Sequence, residues 1–167
     1  MKLSSVFNLK SKKRKLVGAV LLALPLLGAL GAAGVYATHK YLKGSAEEAW
    51  ATQKGRGPDM HREYMEFDAF RHAYTSARLT QCFGKSAARF LMDMNEVLGQ
   101  NHTAERRKDS FNNDASAEIW GDRNFRGLAT VDAGLSADIM SAMQDGRVKT
   151  DPTSVPSSYQ HRTYLGL

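Results

Sequence analysis

Residues 16–37, LVGAVLLALPLLGALGAAGVYA, run for 22 positions without a charge. As a helix this segment reaches about 30 Å, the hydrocarbon thickness of a bilayer. Pro25 and the glycines at 18, 28, 31 and 34 would weaken a helix in water but are tolerated in a membrane. Lys2, Lys10, Lys12, Lys13, Arg14 and Lys15 precede the run with no acidic residue among them. Such a cluster keeps the N-terminus on the cytoplasmic side and sends the body across. The segment 16–38 is therefore expected to be a transmembrane helix or uncleaved signal anchor behind a basic cytoplasmic arm, 1–15. Two alternatives remain at this level. A cleaved signal peptide would end at Val35-Tyr36-Ala37, although the run is long for such an apolar region. A fully buried soluble helix would need a larger surrounding domain than the rest of the chain usually provides.

The net charge of +6 belongs to the same arm. Six of the 23 basic residues lie in the first 15 positions, and the 17 that remain meet 17 acidic ones. The body is neutral, so the electrostatic footprint of a nucleic-acid binder is missing and no nucleic-acid partner is expected. The single cysteine, Cys82, cannot close an intramolecular disulfide and reads as a small core residue. No CxxC, HExxH or GxGxxG pattern occurs, which removes the motif-level signals for structural zinc, zinc proteases and dinucleotides.

Beyond the apolar run, every periodic segment is helical and none alternates with period two, which predicts an all-α chain: an N-terminal transmembrane helix followed by a small bundle of four to five helices. Residues 39–57 read as stalk and linker, with Ser45 a plausible N-cap and a break at Gly55, Gly57 and Pro58. The helical domain is expected over 58–146. Asp59 would cap a central helix running to Gly84. A second helix, 86–98, carries Ala87, Phe90, Leu91, Met94, Val97 and Leu98 at helical spacing and reads as the strongest core stripe. Thr103 caps a third helix reaching Trp120, and Asp132 to Gln144 forms the last, stopped by Asp145-Gly146. The segment 147–167, with two prolines and many hydroxyl residues, reads as an irregular tail.

Two of these helices carry polar residues where core is normally found. In the central one, Asp68, His72 and Ser76 recur every four residues, beside an apolar stripe of Phe67, Phe70, Tyr74 and Ala77. Asp68 and Arg71 can also meet across one turn. In the helix from Ala104, Asp109, Asn112, Asn113 and Ser116 share a face, and adjacent asparagines in mid-helix need a reason. Inward-facing Asp, His and Asn on two bundle helices are a recurrent way to build a metal or acid–base site. His72, Asp68 and Asp109 form a ligand set suited to an oxygen-preferring divalent metal such as Mg²⁺, Mn²⁺ or Ca²⁺. Without metal, an aspartate on one nitrogen of His72 would raise the basicity of the other, with Ser76 or Tyr74 as nucleophile. A buried polar network that sets helix register accounts for the same residues, and so does a pair of solvated faces.

The run Asp68-Ala-Phe-Arg71-His72-Ala-Tyr74, then Asn95-Glu96, then Asp109-Ser-Phe-Asn112-Asn113, resembles an uncharacterised family of small helical bacterial domains. Its pattern is Asp-x-x-Arg-His-Ala-aromatic, an acidic His-Glu-like step and Asp-x-x-Asn-Asn, in exported and toxin-like proteins. Asn95 stands where that family often has His, and the usual Gly and Arg after Asn113 are absent; helical geometry turns Glu96 away from its own apolar stripe. The resemblance implies a site made of Asp68, Arg71, His72, Asp109, Asn112 and Asn113. Together with the anchor it leads to two expectations. The first is a bacterial inner-membrane protein with a periplasmic body that hydrolyses envelope material, lipid or peptidoglycan. The second is a non-catalytic helical module that binds an envelope or secretion-system protein.

Overall fold

The computed structural model describes residues 41–42, 44–98, 103–123 and 131–159, with the backbone alone for 94–98. The span expected over 16–38 lies outside them. Among the described residues no helix is long and apolar enough to cross a membrane. They form five α-helices and no strand: α1 (helical at 41–42 and 44–54), α2 (Tyr64–Phe83), α3 (Lys85–Leu98), α4 (Thr103–Trp120) and α5 (Ala133–Gln144), followed by a 3-10 turn, Pro152–Ser154. The all-α expectation holds.

The central helix is α2, which packs against α3, α4 and α5. Its apolar stripe behaves as read: Phe67, Phe70, Tyr74 and Ala77 are all buried. Phe70 stacks on Tyr74, and Trp50 of α1 meets Phe67 and Phe70 edge-on, each at 5.4 Å between centroids. Edge-to-face aromatic pairs at this spacing add to the burial term. Leu135 and Ile139 of α5 close the same core.

The described residues of the expected stalk and linker, 41–42 and 44–57, behave differently from that reading. Leu42, Ala46, Ala49 and Trp50 are fully buried, and Ser45 lies inside α1 and is itself buried. Spacings of four, three and one put these apolar residues on one helical face, and that face completes the core. The glycine-rich break after it is a turn, with Gly55 at φ +70°. Asp59 caps that turn, not α2: its carboxylate accepts from His61 N and Arg62 N, and α2 begins five residues later behind Glu63. Glu63 in turn accepts from Asp59 N and from Arg56, so the carboxylate holds the turn against the helix start.

The largest departure is α3. Phe90 is 42 % exposed, Ala87 is exposed and Leu91 only partly buried, whereas Ala88, Met92 and Asp93 face inward. The side chains of Met94 to Leu98, Asn95 and Glu96 included, lie outside the description. At the end of α2, Cys82 is half-buried, next to exposed Phe83, and not a core residue.

Other boundaries follow the expected chemistry. Gly84 stops α2 at φ +82° and Gly146 follows α5 at φ +75°, conformations that favour glycine. A Cβ on Gly121 would stand 2.3 Å from Thr80 Cγ2, so the end of α4 approaches α2 as closely as it does only because residue 121 has no side chain. Asp132 caps α5 by accepting from Leu135 N at 2.9 Å. Asp132→Ala is expected to cost about 1 kcal/mol, the usual value of a side-chain N-cap, measurable by urea denaturation; an unchanged midpoint would contradict the cap.

Candidate functional site

The two polar stripes meet where α2 crosses α4. Asp68 and His72 point from α2 and Lys108, Asp109 and Asn113 from α4, and all five are buried. Arg71 sits at the rim with about a quarter of its side chain exposed, and its Nη2 pairs with Asp68 Oδ1 across one turn, as the spacing predicts. The Lys108 ammonium lies between the carboxylates: 2.9 Å from Asp68 Oδ2 and 3.3 Å from Asp109 Oδ1.

His72 is held from both sides. Its Nδ1 is 3.3 Å from Asn113 Oδ1; an amide oxygen can only accept, so the proton of that bond belongs to Nδ1. Its Nε2 is 3.8 Å from Asp68 Oδ1 and 3.6 Å from Asp109 Oδ2, ion-pair separations longer than a hydrogen bond. Ser76 Oγ donates to the backbone oxygen of Asn113 at 2.7 Å, a further tie between the helices. Tyr74 Oη accepts from Asp132 N at 3.1 Å. Both hydroxyls considered as nucleophiles are thus engaged in links that hold helices together.

Asn112 is expected in this site, but its amide points elsewhere. Asn112 Oδ1 accepts from Lys149 N at 2.8 Å and its Nδ2 donates to Lys149 O at 2.9 Å. This paired contact holds the chain after α5 against α4. Lys108, conversely, belongs to the site without belonging to either expected stripe. The four-residue spacing Lys108–Asn112–Ser116 was its signal, since both later members lie on the buried face. A lone lysine on a helix is usually solvated, so residue type alone points away from this position.

Burial and mutual charge set the protonation. Burial pushes Asp109 up, the Asp68 charge adds to that, and Lys108 only partly offsets them, leaving it at about 7. Asp68 also feels burial, but the charges of His72, Arg71 and Lys108 outweigh it and hold it below the ordinary carboxylate range. Lys108 is pushed down by burial and raised more by Asp109 and Asp68, so it stays protonated. Two carboxylates that share a site divide in this way, one ionised and one near neutrality.

Asp68, His72 and Asp109 each offer a ligand atom within 4.8 Å of the others, the set expected for a divalent metal. The donor chemistry fits that ion poorly. An ammonium already binds both carboxylates and a guanidinium binds one of them, so a divalent ion would add charge to a cluster whose cations already match its acids. An open cavity of about 300 Å³ lies elsewhere, lined by Lys54, Glu66, Met140, Met143, Gln144 and Thr150, and shares no residue with the cluster.

No family model, no curated protein and no solved structure matches this chain.

Proposed function

We propose that this chain is a membrane-anchored bacterial protein whose periplasmic helical domain binds a partner protein of the envelope or a secretion assembly, with the α2–α4 charge cluster acting as its internal clamp. The observation that carries this reading is the position of Lys108: a lysine 1 % exposed, hydrogen-bonded to Asp68 and ion-paired with Asp109, both buried. A reaction centre needs groups with capacity left for substrate, whereas here the charges are spent on one another. Buried ionic groups of this kind serve best as devices of register and specificity. The uncharged run and the basic arm carry the anchor and its orientation. A periplasm-specific reporter fused after residue 60 should be active; activity only from a cytoplasm-specific reporter would defeat the topology.

A second reading is supported by Asp109, which titrates near neutrality close to His72. A carboxyl of that pKa beside an imidazole suits general acid–base chemistry, and the Asp-x-x-Arg-His and Asp-x-x-Asn-Asn motifs meet at it. This is the hydrolase of lipid or peptidoglycan implied by the family resemblance. The two readings separate on His72→Ala. As a clamp, the loss strands buried polar partners and costs about 1–3 kcal/mol, so melting temperature and phenotype fall together. As a catalyst, His72→Ala abolishes the phenotype while the melting temperature holds, because functional groups are commonly kept at a cost in stability.

A further inference from the structure

The cavity of about 300 Å³ beside α5 has what the α2–α4 cluster lacks, charged groups with capacity left for a ligand. Lys54 ends α1 and Glu66 stands in the first turn of α2. Their side chains, 36 % and 52 % exposed, meet at 3.8 Å, an ion-pair separation longer than a hydrogen bond. The ammonium lies over the ring of Trp50, 5.0 Å from its centroid, a cation–π contact that holds the charge in place. Met140 and Met143, three apart on α5, are partly buried against the core and give the cavity an apolar wall. Gln144 and Thr150 complete the lining with an amide and a hydroxyl, neither of them in a side-chain hydrogen bond among the described residues. We infer that this cavity is a binding site for a free α-amino acid with an apolar side chain, aromatic above all. The site is independent of the membrane anchor and of the charge cluster.

Charge selects the ligand class. A simple anion drawn to Lys54 meets Glu66 beside it, and a simple cation drawn to Glu66 meets Lys54, so each gains one attraction and suffers one repulsion of similar size. A ligand that carries both charges escapes the repulsion when its dipole lies antiparallel to the pair. The nitrogen and carboxyl carbon of an α-amino acid are about 2.5 Å apart. That is close enough for the carboxylate to face Lys54 while the ammonium faces Glu66 across their 3.8 Å. In a peptide the two terminal charges stand further apart, and a residue inside a chain has neither. The volume agrees, since about 300 Å³ lies at the bottom of the range of about 300–1,000 Å³ for small-molecule sites. Thioethers adapt to the shape of a guest and favour the edges of aromatic rings, which makes a phenylalanine-like side chain the best match for Met140 and Met143.

The test titrates the full chain, labelled at its methionine methyl groups and held in mild detergent, with L-phenylalanine, and follows the methyl resonances. Met140→Leu and Met143→Leu assign the two signals of the cavity. These should shift saturably, while Met60 and Met65, exposed elsewhere, should not. Phenethylamine, which lacks the carboxylate, and 3-phenylpropionate, which lacks the ammonium, should each bind at least about tenfold more weakly, the value of one charge-assisted contact. Lys54→Met should then shift the preference toward phenethylamine and Glu66→Gln toward 3-phenylpropionate, a reversal that a change in folding alone would not produce. No saturable shift at Met140 or Met143 up to the solubility limit of the amino acid would overturn the site. Equal binding of the three compounds would reduce it to an apolar crevice and also overturn the inference, as would shifts of the same size at Met60 and Met65.

Discussion

Lys108→Met should destabilise the domain by about 3–5 kcal/mol at pH 8, the usual consequence of removing one partner from a buried ionic cluster, and lower the melting temperature by more than about 10 °C. The methionine matches the length of the stem, so lost packing contributes little and the change reports the charge. Without the ammonium, Asp68 keeps Arg71, but Asp109 loses the cation that faces its Oδ1. The added cost falls on Asp109, a buried carboxylate beside another. Below pH 6 that carboxyl takes up a proton and the penalty should shrink. A second change, Asp109→Asn, should restore much of the loss, and the coupling between the two positions is the direct measure of the contact. Urea denaturation at pH 8 and pH 5.5 reads all of this. A loss below about 1 kcal/mol at pH 8, the value typical of an exposed pair, would remove the clamp reading.

How much of this was legible in the sequence depends on which period carried the information. The four-residue recurrence of Asp68, His72 and Ser76, and the matching one in α4, were enough to bring the right helices together. Periodicity also identified the buried stripe of α2, because the other helices enclose α2 and its apolar residues had only one place to go. The same rule misled on α3. An apolar stripe gives the spacing of a face and not its direction in the fold, and here Ala88 and Met92 face inward while Phe90 does not.

The stalk illustrates a different limit. Glycine and proline at 55–58 mark a break in helix, and a break is compatible with a linker or a tight turn. In the fold Leu42, Ala46, Ala49 and Trp50 are all buried on one face of α1, so the break is a turn. Within the site, residue identity alone could not separate Asn112 from its neighbour: adjacent helical positions differ by 100° in direction, and Asn113 meets His72 while Asn112 binds the backbone of Lys149. Nor does any sequence pattern reveal that one of two aspartates titrates near neutrality, because burial and a second charge cause it and both depend on the fold.

Asp109→Asn should make the domain more stable at pH 8 and nearly remove the dependence of stability on pH between 5 and 8. In the folded state Asp109 titrates at about 7, whereas in the unfolded chain it titrates at about 4. Between these values the folded state holds a proton that the unfolded state has released. Stability therefore falls as pH rises from about 4 to 7, and above 7 the full penalty of the buried carboxylate is present. A shift of this size amounts to a few kcal/mol, with about 4 as the ceiling. Asp68 acts with the opposite sign and outside the window: its folded value is depressed, so its contribution is present above about 4 and lost only on further acidification. Lys108, raised by both carboxylates, stabilises throughout the window and weakens only in strong alkali. The asparagine keeps the shape of the protonated acid and cannot ionise, so the mutant and wild-type curves should converge near pH 5 and diverge steadily toward pH 8. Chemical denaturation at half-unit steps would trace them. Parallel curves across that interval would mean that Asp109 ionises in the folded domain as freely as in the unfolded chain, and that the cluster is not the enclosed unit its geometry describes.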